Sequence, residues 1–286
     1  MQRARSATRA VGLGGTQRDG YDKIEGVEVA GYNGDGASIG ACQNPGVPNM
    51  VAEYGSHTAN RSQGDTYAPH YDHVQSQNNR PIEYAWRSGV SLWCMFHHGT
   101  VAARSYGDMG IVDYYRLPLK EWYWYRHEFH PDHPEPEFSK SGTPTKIELT
   151  ASDTVLRDDG TQDTHLIATL KDDEGNWIGV KRKITLKVVA GPGVFPTGKT
   201  FVLDPDSENK SMLDGKGAIE FRSYYAGITR IVAESEGLKS AEITLRTTGD
   251  STGESEADIS TLYGSFMNND GIILTDIEEA SAYELY

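Results

Sequence analysis

Cysteine is nearly absent: Cys42 and Cys94 are the only two in 286 residues, and they form no CxxC pair. That excludes a disulfide framework and a redox or zinc motif built on cysteine. Basic residues are also scarce, 27 Lys and Arg against 41 Asp and Glu, for a formal net charge of -14. No basic stripe is available for a phosphate backbone, so nucleic acid is not an expected partner. No apolar run reaches the roughly 20 residues that span a bilayer, and a membrane partner is not expected either. The basic start, Met1 to Arg9, is followed by no apolar signal core. Export to the periplasm or outside the cell would need a signal that this stretch does not display; otherwise the expectation is the cytoplasm. Gly12, Gly14 and Gly15 do not make the dinucleotide-binding fingerprint. His127, His130 and His133 step through Pro131 into a proline-rich stretch, so no rigid helix face presents them to a metal. No cofactor and no metal are expected, and no internal repeat is evident.

What is present changes character along the chain. Up to about residue 130, Trp, Tyr, His and Gly are dense; His130 to Glu137 then carries three prolines, which block helix continuation and stiffen the backbone. The expected division is 1–130, a linker at 131–142, a β-domain at 143–248, and an acidic tail or the start of a further module at 249–286. The first part reads as strands alternating with helices. Val27 to Tyr32, Asn49 to Ala52, Ser91 to Phe96 and, more weakly, Ala10 to Gly14 are short apolar runs, as in a parallel sheet covered on both faces. Pro81 to Arg87 and Leu119 to Arg126 read as helices, with Pro118 at the first turn of the second. Four such strands match about half of a (β/α)8 TIM barrel.

The second part alternates with period 2: Ile147, Leu149, Ala151; Leu166, Ala168, Leu170; Ile184, Leu186, Val188; Ala241, Ile243, Leu245. Asp158-Asp159-Gly160, Asp172 to Gly175 and Asp214-Gly215 supply turns. Short strands at this spacing predict an immunoglobulin-like sandwich. From Gly249 to Tyr286 there is no Lys or Arg.

Chemistry concentrates at Pro48-Asn49-Met50-Val51-Ala52-Glu53-Tyr54-Gly55-Ser56. A carboxylate at the end of a buried strand is costly unless paired or used. In a barrel the C-terminal ends of strands line the active site. Position alone leaves two readings of Glu53 open, a catalytic carboxylate or one paired with Arg or backbone N–H groups.

Val51 to Ser56 resembles the nucleophile segment of β-galactosidase-like glycoside hydrolases of family 2, where Glu-Tyr-Gly ends barrel strand seven. Glu28-Val29-Ala30-Gly31-Tyr32-Asn33 resembles the preceding strand, and Gly89-Val90-Ser91-Leu92-Trp93 the eighth. Gly110 to Tyr125, with Gly110-Ile111-Val112-Asp113, Pro118, Lys120 and an aromatic helix, resembles the segment that closes the barrel. The four motifs stand in family order, and the β-domain is similar to the accessory domains that follow such barrels. The resemblance implies a C-terminal half of a TIM barrel followed by an immunoglobulin-like sandwich. It also implies a retaining β-glycosidase acting by double displacement, with Glu53 as nucleophile. Trp93 would stack on a sugar ring; Tyr32, Asn33 and Asp35 would sit at the end of strand six. Gly34-Asp35 departs from the family, which often has Tyr shortly after the Asn. His97 and His98 follow Trp93, and one of them is expected to face the pocket; His97 is taken as the candidate. His57, His70 and His73 read as solvated loop residues, and Trp122 to Tyr125 as helix packing.

The family's acid/base is a Glu after Asn on strand four. Here only Glu25 and Glu28 precede Glu53, and neither follows Asn. The chain therefore reads as N-terminally truncated, or as one half of a split enzyme, inactive by itself. Its expected partners are a β-linked oligosaccharide or glycoside, the missing N-terminal half, and a second copy of the chain. Galactoside, glucuronide and mannoside all stay open as the sugar. The competing expectation is a non-catalytic carbohydrate-binding or interaction module that retains a barrel remnant.

Overall fold

The computed structural model describes residues 10–14, 28–33, 46–54, 87–100, 105–106, 110–134 and 136–251. The chain divides into two compact units, Met1–Phe138 and Ser139–Tyr286.

In the first unit four strands form one sheet in chain order: β1 (Gly12–Leu13), β2 (Val29–Asn33), β3 (Asn49–Tyr54) and β4 (Arg87–Leu92). Every neighbouring pair is parallel. All four C-terminal ends therefore lie along one edge of the sheet. Strand β4 begins at Arg87 and ends at Leu92, several residues earlier than the apolar run Ser91–Phe96 suggests. After Leu92 the chain leaves the sheet, and Phe96 makes only a single parallel bridge to Val112. Arg87, expected at the end of a helix, opens the strand; residues 81–86 lie outside the described ones. A short hairpin follows, β5 (Gly99–Thr100) with β6 (Ser105–Tyr106).

Helix α1 spans Lys120–Phe129. Pro118 stands before it rather than in its first turn, because it bridges to Val112, and Leu119 takes the N-cap position without a side-chain cap. Glu121 in the first turn and Arg126 and His127 in the last complement the helix dipole. Leu119 and Glu121 are fully buried. On the helix's outer side the Arg126 guanidinium lies 5.4 Å from the Trp122 ring and 5.1 Å from the Tyr123 ring, and Tyr123 meets Phe138 edge to face. Trp122, Tyr123 and Tyr125 are each half-buried.

The second unit is all β in its described residues. Nine strands run in order: β7 (Lys146–Ala151), β8 (Val155–Arg157), β9 (Thr164–Lys171), β10 (Ile184–Ala190), β11 (Thr200–Leu203), β12 (Met212–Leu213), β13 (Lys216–Phe221), β14 (Gly227–Glu234) and β15 (Ala241–Thr248). They make a five-stranded sheet, β11-β10-β14-β15-β8, and a four-stranded sheet, β12-β13-β9-β7. Alternation decides which side faces in. Leu166, Ala168 and Leu170 of one sheet, and Leu186, Ile231, Ala233 and Leu245 of the other, have no exposed surface. The sheets meet through these faces: a Cβ added to Gly217 on β13 would stand 2.9 Å from a Leu203 methyl on β11. Phe195 and Phe221 close the core edge to face at 5.6 Å.

Candidate active site at the strand ends

Register across the parallel sheet brings the sequence candidates into one row. Asn33 on β2 pairs with Glu53 on β3, and Tyr54 pairs with Leu92 on β4, one residue before Trp93. Neighbouring parallel strands run about 4.8 Å apart. Asn33, Glu53 and Trp93 thus come from three successive strands at the same C-terminal edge. Tyr32 sits one step back, opposite Val51. Asp35, His57, His70 and His73 lie outside the described residues.

The backbone register is irregular at the Glu53 position. Against β2, the step from Tyr32 to Asn33 corresponds to the step from Val51 to Glu53. Against β4, the three steps from Val51 to Tyr54 correspond to two steps from Val90 to Leu92. Strand β3 therefore carries one extra residue relative to both neighbours at Ala52–Glu53. Bulges of this kind re-aim side chains and are over-represented beside active sites. Apolar patterning gives no sign of an extra residue, which is why the sequence reading places Glu53 at a strand end without it.

Beyond β4 the chain builds a small ribbon that fixes the Trp93 region. Residues 94–97 pair in parallel with 110–112 through Ile111 N–H to the Cys94 carbonyl, Val112 N–H to the Met95 carbonyl, and His97 N–H to the Val112 carbonyl. The third side is anchored by Leu119 N–H to the Ile111 carbonyl. Buried Asp113 organises the turn between, its Oδ1 accepting from the amides of Tyr115 and Leu117, both at 2.9 Å. That turn holds Arg116 at φ 63°, with its guanidinium 4.3 Å from the Phe96 ring centre.

The two histidines separate. His97 is buried; its Nδ1 accepts from the Gly110 amide at 3.0 Å, which requires the neutral tautomer protonated at Nε2, and its ring meets Tyr114 edge to face. His98 is the one whose ring touches Trp93, edge to face at 5.6 Å, and its Nδ1 lies 3.3 Å from the Cys94 sulfur. Sequence reasoning names His97 and His98 together and takes His97, and it passes over Cys94, because turn geometry after β4 decides which side each faces. Trp93 itself is 40% exposed, open enough to meet a ligand. Glu28 lies before the start of β2, where its carboxylate accepts from the Val11 amide at 2.9 Å. It is at the opposite end of the sheet from Glu53 and cannot be its partner. Among the described residues no group of three His, Cys, Asp or Glu is placed to hold a metal.

No protein-family profile and no curated protein matches the chain. Solved structures do. A β-glucuronidase of glycoside hydrolase family 2 superposes with a TM-score of 0.59 at 17% identity, over 82% of this chain and 35% of that one. A β-glycosidase from Bacteroides vulgatus gives 0.59 at 13%, over 83% and 47%. A glycosyl hydrolase family 2 member from Bacteroides cellulosilyticus gives 0.56 at 11%, over 85% and 45%. The chain thus shares its fold with members of glycoside hydrolase family 2 and spans less than half the length of each of these three. That likeness agrees with the resemblance carried by the motifs around Glu53.

Proposed function

We propose that this chain is the C-terminal part of a retaining β-glycoside hydrolase, that β1 to β4 are the last four strands of its (β/α)8 barrel, and that Glu53 is the nucleophile. The observation that carries this reading is the placement of Glu53 beside Asn33 and next to the Trp93 row, in a bulged strand, at the C-terminal edge of a parallel sheet. The family 2 fold likeness supports it. The two-sheet unit then serves as the accessory immunoglobulin-like domain.

In this mechanism the Glu53 carboxylate attacks the anomeric carbon as the glycosidic C–O bond breaks. A second carboxyl, about 5–5.5 Å away, gives its proton to the leaving oxygen. The resulting ester is cleaved by a water that the same carboxylate deprotonates. That acid/base belongs to a barrel strand preceding those present here. Trp93 offers a ring face to the sugar, as flat apolar sugar faces favour. Tyr32 and Asn33, which close the neighbouring strand, are assigned to hydroxyl recognition together with Asp35, two residues on in the sequence, and His97 to support of the Trp93 loop. The substrate is a terminal β-linked sugar, with a β-galactoside as first choice.

The test is a panel of aryl β-galactoside, β-glucuronide and β-mannoside with the enzyme that includes the preceding barrel strands. One substrate is expected to turn over, and Glu53→Gln should lower kcat by on the order of a thousand-fold or more. Turnover that survives the substitution overturns the assignment of Glu53. Robust turnover by the 286-residue chain alone overturns the assignment of the acid/base to a preceding strand.

A further inference from the structure

The residues after β4 contain a thiol–imidazole pair that sugar hydrolysis does not use. The Cys94 sulfur lies 3.3 Å from His98 Nδ1 and 3.0 Å from the Phe96 carbonyl oxygen, and Cys94 is in no disulfide. Both side chains are half-buried, while Trp93, Met95 and Phe96 around them are 40–47% exposed, so a small reagent reaches the sulfur. The His98 ring is set by its edge-to-face contact with Trp93. A nucleophile within hydrogen-bond reach of a base that a third group orients is the arrangement that activates a thiol.

We propose that Cys94 and His98 form a reactive nucleophile–base pair, and that Cys94 is a site of covalent modification by soft alkylating electrophiles. The Phe96 carbonyl and His98 Nδ1 compete for the thiol proton. The carbonyl favours the neutral thiol. Transfer to Nδ1 creates a thiolate–imidazolium contact, and charge-assisted contacts of this kind are roughly twice as strong as neutral ones. With iodoacetamide the balanced step is direct. The S–H proton passes to Nδ1, the sulfur electron pair forms the S–CH2 bond, the C–I bond breaks, and iodide leaves. The imidazolium then returns its proton to the buffer. An adduct here stands one residue from Trp93 and against His98, so it crowds the sugar site; that consequence alone rests on the hydrolase reading.

The experiment alkylates the folded 286-residue chain with limiting iodoacetamide and follows the Cys94 peptide by mass spectrometry. The same chain unfolded in urea at the same pH is the reference. Cys94 is expected to react about tenfold faster in the folded chain than in urea, which takes a rise of about tenfold or more in thiolate fraction. His98→Asn should return the folded rate to the urea value or below. Circular dichroism verifies that the variant folds; if it does not, the comparison of folded and unfolded wild type decides alone. A folded rate equal to or below the unfolded one, or an unchanged rate in a folded His98→Asn, overturns the proposal. Neither result depends on whether a sugar is cleaved.

Discussion

At the scale of single residues, close backbone approach makes the sharpest demands. Gly110 has no room for a side chain: a Cβ would collide with the backbone of Phe96 and His97. Those atoms belong to the ribbon that presents Trp93, and a backbone cannot step aside as a flexible side chain can. Gly110→Ala is therefore expected to destabilise the ribbon by about 1–3 kcal/mol, the range for forced overpacking and backbone displacement. Amide hydrogen exchange at His97, Ile111 and Val112, whose N–H groups donate across the ribbon, checks it; protection equal to wild type would show that the ribbon is looser than the contacts imply. Residue identities around the site were partly readable beforehand. Glu53 stands out because a carboxylate at the end of an apolar run is costly unless paired or used, whereas Trp93, inside its apolar run, is picked out only by the resemblance to the family's eighth strand. The roles of Cys94 and His98 were not readable, since adjacent histidines point in directions that only the turn after Leu92 determines.

At the scale of elements, periodicity served the second unit better than the first. Leu166, Ala168 and Leu170 alternate in sequence and are all fully buried in β9, because a strand with one face on the core must alternate. Strand β10 keeps that pattern to Val188, with Val189 on the outward face; after the register shift between Val188 and Ala190, Ala190, whose parity would face the core, is exposed. A bulge of this kind leaves no apolar signature. In the first unit the strands are short and continuous in hydrophobicity, so their ends were harder to read: β4 begins four residues before the apolar run does. Turn chemistry was clear where it mattered. Asp214 and Gly215 both have positive φ, 49° and 72°, and form the two-residue hairpin between β12 and β13. A Cβ on Gly215 would also strike the Ile178 carbonyl oxygen. Gly215→Ala combines left-handed strain with a backbone clash, and should cost about 2–4 kcal/mol. A thermal unfolding midpoint unchanged by that substitution would contradict the geometry.

At the scale of the whole molecule, the acidic balance has a defined consequence for the second unit. Several carboxyls there are held below their ordinary range. Asp158 is held by the Ser251 amide, Asp159 by the Thr161 amide, Asp172 by the Asn176 side chain, Asp204 by Lys183, and Glu242 by Arg230. A carboxyl with a depressed folded pKa adds stability above its unfolded value, about 4, and loses it as pH falls through the folded value. Stability of residues 139–251 is therefore expected to hold steady through neutral pH and to fall below about pH 4. Each pair is surface-exposed and contributes little alone. Circular dichroism against pH checks the direction; stability rising on acidification would contradict it.

The central claim concerns the bond that one side chain makes. In the enzyme carrying the preceding barrel strands, an activated 2-deoxy-2-fluoro glycoside slows formation and breakdown of a glycosyl ester, because the fluorine disfavours the oxocarbenium-like transition state. Peptide mass spectrometry then locates the sugar. The account predicts a fluoroglycosyl mass on the peptide holding Asn49 to Tyr54, fragmenting to Glu53, and none in Glu53→Gln. A sugar found on a different carboxylate would contradict it.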